Sequence, residues 1–371
     1  EPDTGVPLAV RVGIHTGLVV VGDSGDAAPQ AHLALGHTPT IAARIQDLAA
    51  PHTVVVSAAT YRLIQADFRC EPLGVQRLHG VTQSLMLHRV LSDAESDNRL
   101  GMGTSPALAP LIGREAEVAH LLERWSRVKE GLGQTVILSG EAGIGKSRLV
   151  QVVKAHVADE GYPVLACRCS PYDQHSAWHP LTAAFPHLFQ WERYDTNEAK
   201  RKKLEQALHQ YGLPLGEGVP LLAALFALPL SDEHYPPVLV APELRRQRTL
   251  EVLLAVVSRV AAQQPLLFII EDVHWIDPST FALLSLLLDQ GPTLSILTLL
   301  TARPAFQSLW GFRAHLTPLV VDRLSAAQVK TLIDQIAGDQ RLPAAMVQQI
   351  MAKTDGVPLF IEELTRMVLE S

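Results

Sequence analysis

Apolar and polar positions along this chain change rhythm once, near residue 100. Before that point short runs alternate. Residues 8–14 and 18–21 read as a pair of strands joined by the turn His15-Thr16-Gly17. Residues 41–49 have helical spacing, 53–56 are a β-rich run, 58–65 are helical again, and 85–91 close the region as a strand. Residues 92–110 carry Ser, Asp, Gly and Pro without an apolar period, which predicts a linker.

From Leu111 the units lengthen. A helix is predicted over 115–128, a buried strand over 135–138, a helix over 146–158 stopped near Gly161, and a strand over 163–168. Residues 171–264 are mostly helical with proline breaks. Residues 266–270 are purely apolar and lead through Asp277-Pro278, a good N-cap and first-turn pair, into a helix over 279–288. Gly291 ends that helix, and 295–300 form the next buried strand. Such βαβ units build parallel sheets. The remaining periods, 325–336, 343–353 and 359–369, predict a small helical subdomain.

Composition narrows the class. A length of 371 residues fits two or three domains, and 47% hydrophobic content supplies their cores. The aromatic share is only 5%, so those cores rest on Leu, Val, Ile and Ala. A formal charge of −7 argues against a nucleic-acid binder, and Arg245, Arg246 and Arg248 read as a solvated helix face. Cys70, Cys167 and Cys169 make neither a disulfide framework nor a zinc set, so they read as reduced thiols of a cytoplasmic protein. No signal peptide and no membrane-spanning run is visible; the most apolar stretch is broken by Asp289, Gln290, Gly291 and Pro292. The chain starts just before a strand and stops inside a helical pattern, which reads as a segment of a longer protein.

The chemistry centres on Gly140-Glu141-Ala142-Gly143-Ile144-Gly145-Lys146-Ser147, a G-x-x-x-x-G-K-S string between a predicted strand and a predicted helix, with Arg148 following it. Glycines let successive N–H groups wrap phosphates at a helix N-terminus. Lys146 reaches the β- and γ-phosphates and Ser147 offers a hydroxyl to Mg²⁺. Glu271-Asp272 follow a buried strand, where acids hold the metal and orient water. Arg303 ends the next strand, at the edge where open α/β sheets bind ligands, as a sensor of the γ-phosphate.

On these motifs residues 111–371 resemble the ATPase module of the STAND class, related to AAA and NB-ARC proteins. Leu111-Ile112-Gly113-Arg114-Glu115 matches the entry motif that packs near adenine. Ile269 through Pro278, reading IIEDVHWIDP, matches the acidic-strand region of bacterial members, Arg303 the sensor Arg, and Gly356-Val357-Pro358-Leu359 the Gly-x-Pro motif whose proline lies against the nucleotide. The resemblance implies an ATP/ADP site with Mg²⁺ held by Ser147, Glu271 and Asp272. One departure counts: Glu271 stands where many such enzymes have the metal-side Asp, and Asp272 where AAA enzymes have a catalytic Glu. Nucleotide-contacting positions are thus Ile112, Gly113, Arg114, Gly140 through Arg148, and Pro358.

Residues 1–91 resemble the second half of a class III nucleotidyl cyclase domain. The strings are Arg11-Val12-Gly13-Ile14-His15-Thr16-Gly17, Leu35-Gly36, Ile41-Ala42-Ala43-Arg44-Ile45-Gln46, 53–57 and Arg77-Leu78-His79-Gly80-Val81. The family sets an Asn and an Arg four residues apart on one helix face. The Arg is Arg44, but the Asn position is Thr40, the base-selecting acid is replaced within Ala31-His32-Leu33-Ala34, and the metal-binding aspartates belong to a preceding segment. Asp23 and Asp26 flank a glycine in a predicted turn. Arg44 and Thr40 are therefore remnants of a catalytic pair.

The expected fold is α/β: a P-loop NTPase parallel sheet over 111–305 with a helical insertion near 171–264, a helical lid from 306, and a partial α+β, ferredoxin-like cyclase domain in front. Three functions are compatible: a nucleotide-driven switch with slow ATPase activity, an active adenylate cyclase regulated by the ATPase module, and a non-hydrolysing scaffold. Implied partners are ATP/ADP, sensor or effector domains outside the segment and further copies of the chain, with no membrane or nucleic acid.

Overall fold

The computed structural model describes residues 10–17, 20–23, 32–35, 37–65, 68–78, 84–93, 111–174, 176–192, 194–230, 235, 240–306, 310–311, 313–338, 340 and 342–369. The chain divides into two units, Glu1–Leu108 and Ala109–Ser371.

In the first unit the order is β1 (Arg11–Ile14), β2 (Val20–Asp23), β3 (His32–Leu35), α1 (His37–Leu48), β4 (Thr53–Ser57), α2 (Ala58–Ile64), β5 (Phe68–Gln76) and β6 (Leu85–Asp93). One sheet runs β1-β4-β6-β5, and β2 and β3 form a separate antiparallel pair. The predicted β1–β2 pairing is corrected here. β1 instead pairs in parallel with β4, from Arg11↔Thr53 to Ile14↔Val56. The reason lies in Gly13, where a Cβ would come within 2.2 Å of the Gln46 amide nitrogen. Its absence lets α1 pack on β1, and a helix packed on a strand returns the chain as a parallel neighbour.

Helix α1 starts at His37, four residues earlier than predicted, because a proline (here Pro39) is tolerated in a first turn, whose N–H groups have no intrahelical acceptor. Strand β5 was not predicted: Pro72 and Gly74 break its pattern, and its pairing with β6 shifts register at both Arg69/Cys70 and Pro72/Gly74. Asp23 ends β2 and does not sit in a turn. Asp26 lies outside the described residues, as do positions 94–110 of the predicted linker. Ser92 and Asp93 belong to β6. A small core of Ile45, Ala49, Val55, Leu78 and Leu87 holds this unit.

The second unit is built on a five-stranded, all-parallel sheet in the order β11-β7-β10-β9-β8. Its strands are β7 (Gln134–Ser139), β8 (Val164–Arg168), β9 (Leu266–Glu271), β10 (Ile296–Ala302) and β11 (Leu316–Val320). Every residue of β9 and β10 is buried, which is why both read as unbroken apolar runs. Edge strand β11 was missed because it is half exposed and carries Pro318, tolerated where one side of the strand has no partner.

Helices α3 (Glu115–Lys129) and α4 (Lys146–Asp159) pack on one face. The other face is covered by α5 (His179–Ala184), α6 (Asn197–Gln210), α7 (Leu215–Leu225), α8 (Pro242–Gln263) and α9 (Pro278–Gln290). Buried Asp277 anchors this layer. Its Oδ1 accepts from the Ser279 and Thr280 amides of α9 and from the Trp178 amide across the layer. Helices α10 (Ala326–Ala337), α11 (Ala344–Thr354) and α12 (Pro358–Leu369) share a separate core around Leu324, Val329, Leu332, Ile333, Ile350 and Ile361.

Cys167 and Cys169 are buried free thiols, and burial pushes Cys169 up to about 12. Among the described residues no His/Cys/Asp/Glu group of metal-binding size occurs, and no helix is long and apolar enough to cross a membrane.

Candidate nucleotide-binding site

The carboxyl ends of β7, β9 and β10 lie side by side, and the loop after β7 fills the space above them. Gly143 and Gly145 adopt φ of +76° and +104°, a region that strains other residues. Their turns bring the chain into α4 at Lys146. Lys146 is 9% exposed, and its ammonium donates to the carbonyls of Gly140 (2.8 Å) and Glu141 (2.9 Å). Burial lowers its pKa. The Asp272 charge opposes that shift, Arg303 adds to it, and Glu271 opposes it again. An ammonium whose hydrogen-bond partners among the described residues are two carbonyls of its own loop is well placed to take an anionic partner.

The acid pair is separated by its backbone. Glu271 ends β9, is buried, and accepts from the Ser147 hydroxyl at 2.5 Å. Asp272 turns into the left-handed region (φ +58°) and donates its N–H to Thr301 Oγ1 at 2.8 Å. Arg168, at the end of β8, reaches both acids, with Nη2 3.2 Å from Glu271 and Nε 3.9 Å from Asp272. Sequence reasoning missed Arg168. The signal was its place at the carboxyl end of a strand in a parallel sheet, the same argument that singled out Arg303. Arg303 lies with its guanidinium 5.2 Å from the Trp275 ring centre, a cation–π contact. Neither ring nitrogen of His274 has a hydrogen-bond partner among the described residues, and burial lowers that ring's pKa.

The entry motif acts as a brace. Arg114 is 4% exposed and donates to Glu117 (2.9 Å), to the Ile144 carbonyl (3.2 Å) and to the Asp322 carbonyl (2.5 Å). It ties the loop to the segment leaving β11. Gly113 (φ +67°) leaves room for Gln328 of α10, which would lie 2.2 Å from any Cβ there.

On the opposite side the corner between α11 and α12 closes on the loop. The Leu359 N–H donates to the Gly143 carbonyl at 3.2 Å. Arg323 holds both oxygens of Glu141, with Nη2 at 2.8 and 2.9 Å, and also pairs with Asp355. Arg323's pKa is raised, first by its bond to Glu141 and then by the Asp355 charge.

These elements enclose a cavity of about 380 Å³. Of the predicted residues, Ile112, Arg114, Ala142, Gly143, Ile144, Gly145, Lys146, Ser147, Arg148, Asp272, Arg303 and Pro358 line it. Gly113, Gly140, Glu141 and Glu271 are not among its lining residues, and Glu141 is turned towards Arg323. The structure adds Leu324, Leu332, Leu359 and Glu362, which come from the helical cluster, and Trp275. Thr40 and Arg44 are elsewhere, both exposed on α1 of the first unit, and Arg44 donates to Asp47 of the same helix at 3.3 Å.

A parallel sheet with a phosphate-type loop, an acid pair and a strand-end arginine around one cavity is the architecture of a P-loop ATPase. The chain belongs to the AAA ATPase domain family, whose profile matches residues 110–300. Residues 1–91 match the adenylate and guanylate cyclase catalytic domain. An uncharacterized protein of Rhizobium meliloti (strain 1021) is 27% identical over 380 residues, covering 98% of this chain. The chain spans 35% of that relative's length. Among solved structures, the adenylyl cyclase CyaB from P. aeruginosa is 24% identical over 22% of this chain and 42% of its own, with a TM-score of 0.21. A STAND protein with a tetratricopeptide repeat sensor from Pyrococcus horikoshii is 13% identical over 69% of this chain and 30% of its own, with a TM-score of 0.36.

Proposed function

We propose that the chain is a nucleotide-operated switch of the STAND kind. ATP or ADP binds in the cavity, slow Mg²⁺-dependent hydrolysis converts one to the other, and the α10–α12 cluster responds to which is present. The observation that supports this most directly is the double attachment of the phosphate loop to that cluster, through Leu359 to Gly143 and through Glu141 to Arg323, which in turn pairs with Asp355 at the α11–α12 corner. A loop that holds phosphates and a helical cluster at once couples the two.

Lys146 and the loop amides take the phosphates, and Arg303 senses the γ-phosphate from its seat on Trp275. Ser147, Glu271 and Asp272 offer the hard oxygen donors that suit Mg²⁺. The metal, when bound, neutralises phosphate charge. Asp272 orients the attacking water. Leu111, Ile112, Leu324 and Leu332 provide an apolar seat for the base, with Pro358 against it. The cyclase-homology unit serves as a module without turnover in this chain, since Arg44 is paired on its own helix and Thr40 offers a hydroxyl in place of an amide.

Ligand at a hundredfold excess over its dissociation constant stabilises the bound form by about 2.7 kcal/mol, enough to bias a two-state element whose states differ in affinity. Hydrogen–deuterium exchange over residues 355–362 tests the coupling. Exchange there is expected to differ by about 5-fold or more between ADP and a non-hydrolysable ATP analogue. Equal protection with both nucleotides would make the module a scaffold.

A further inference from the structure

Two acids line the cavity, Asp272 and Glu362, among four basic side chains, Arg114, Lys146, Arg148 and Arg303. Asp272 belongs to the phosphate end, at the close of β9. Glu362 enters from the helical cluster, one turn beyond Pro358 on the same face of α12. The Leu359–Gly143 bond fixes that turn beside the phosphate loop. Arg148 belongs to the first turn of α4, one residue past Ser147. Burial lowers its pKa, and the nearby Glu362 charge opposes that shift. From the solvent side Arg366 lies 3.5 Å from Glu362 Oε2.

A carboxylate repels polyphosphate, so at this end of the cavity, with Arg366 on one oxygen of Glu362 from outside, the acid suits an uncharged donor of the ligand better than its phosphates. A nucleoside triphosphate presents donors on its base and on its ribose. The wall left for the base is apolar, formed by Leu111, Ile112, Leu324 and Leu332. The ribose hydroxyls remain. An ionised carboxylate is acceptor-only and has two oxygens for a vicinal diol. An acid on the ribose 2′-hydroxyl also serves this purpose in dinucleotide sites.

We propose that Glu362 binds the ribose hydroxyls and makes this a ribonucleotide site that discriminates against 2′-deoxynucleotides. The inference rests on the nucleotide reading of the cavity given above. Calorimetry on the full chain with ATP, 2′-deoxy-ATP and 3′-deoxy-ATP tests it, in the wild type, Glu362→Gln and Glu362→Ala. Wild-type protein is expected to bind ATP about tenfold or more tighter than 2′-deoxy-ATP, as for a hydrogen bond to a charged acceptor. Glu362→Ala should weaken ATP while sparing 2′-deoxy-ATP, reducing the ratio to about twofold or less, and Glu362→Gln should fall between.

All five tryptophans lie within 125–310, so their fluorescence verifies that each variant keeps the ATPase unit folded. Equal wild-type affinities for ATP and 2′-deoxy-ATP would overturn the proposal. So would a loss in Glu362→Ala that is the same for both, which marks a charge effect alone. Absence of binding by any nucleotide to the wild type would overturn the reading beneath it as well.

Discussion

Lys146 and Arg44 are each the principal cation of a recognisable motif, one in each unit. Lys146 is 9% exposed, and its ammonium points into a loop whose backbone surrounds it. The Arg44 side chain is 44% exposed and its guanidinium turns back to Asp47 one turn along its own helix. The difference follows from how each site is built. A phosphate cradle is made by one loop at one helix N-terminus, so one short run of consecutive residues carries most of it. A pair of side chains on one helix face is half of a site, and the other half must come from a surface that meets it. Among the described residues nothing in the first unit meets Thr40 and Arg44 in that way.

The largest effect that can test this contrast is at Lys146. Lys146→Ala is expected to weaken ATP and ADP binding by about 100-fold or more, since two charge-assisted bonds to phosphate are lost. Calorimetry decides it, and affinities within a factor of two would remove the phosphate site from the account. The acid pair comes next. Asp272→Asn should leave nucleotide affinity within about threefold and reduce hydrolysis by about 100-fold, the range for a lost general base. Glu271→Gln should instead raise the Mg²⁺ concentration needed for tight binding. If phosphate release were unchanged in both variants, the placement of these acids would be wrong.

What was legible in the sequence divides along the same line. The strands β7, β9 and β10 were readable because they are buried on both faces, and their ends located Glu271, Asp272 and Arg303. Edge strands β5 and β11 were not, because partial exposure, Pro72, Gly74 and Pro318 erase both the apolar run and the alternation. The parallel β1–β4 pairing was hidden because it depends on the missing side chain of Gly13, whose meaning appears only when α1 lies against it. Arg168 and Arg323 were also silent: each acts through residues that the fold brings from at least 100 positions away, Glu271 for the first and Glu141 for the second.

A smaller effect probes the link between loop and helical cluster. Arg323, Glu141 and Asp355 are all about half exposed or more, so water and salt screen the network. Pairs of this kind are worth about 0.2–1 kcal/mol each. Arg323→Ala should therefore speed ADP release by about 2–5-fold, measured by stopped-flow with a fluorescent ADP, and the gain should shrink in high salt. A release rate that does not move would show that the main-chain bond from Leu359 to Gly143 carries the attachment alone.

The smallest expected effect is at Arg44, where the comparison is most exposed to failure. In the cyclase family this Arg stabilises charge on the phosphate beside an Asn at the ribose. On the reading proposed above, Thr40 takes the Asn position with a shorter reach and one hydroxyl, and Arg44 donates to Asp47 of its own helix. Transition-state charge stabilisation of several kcal/mol requires donors held in place before the reaction, which an exposed, same-helix ion pair does not supply. This chain is therefore expected to form no detectable cyclic AMP or cyclic GMP from ATP or GTP with Mg²⁺ or Mn²⁺, and Arg44→Ala should change nothing. Mass spectrometry of the products, run beside Lys146→Ala, separates cyclisation from hydrolysis at the phosphate loop. Cyclic product that survives Lys146→Ala and disappears with Arg44→Ala would make the first unit a working cyclase, and the two cations would then be equals.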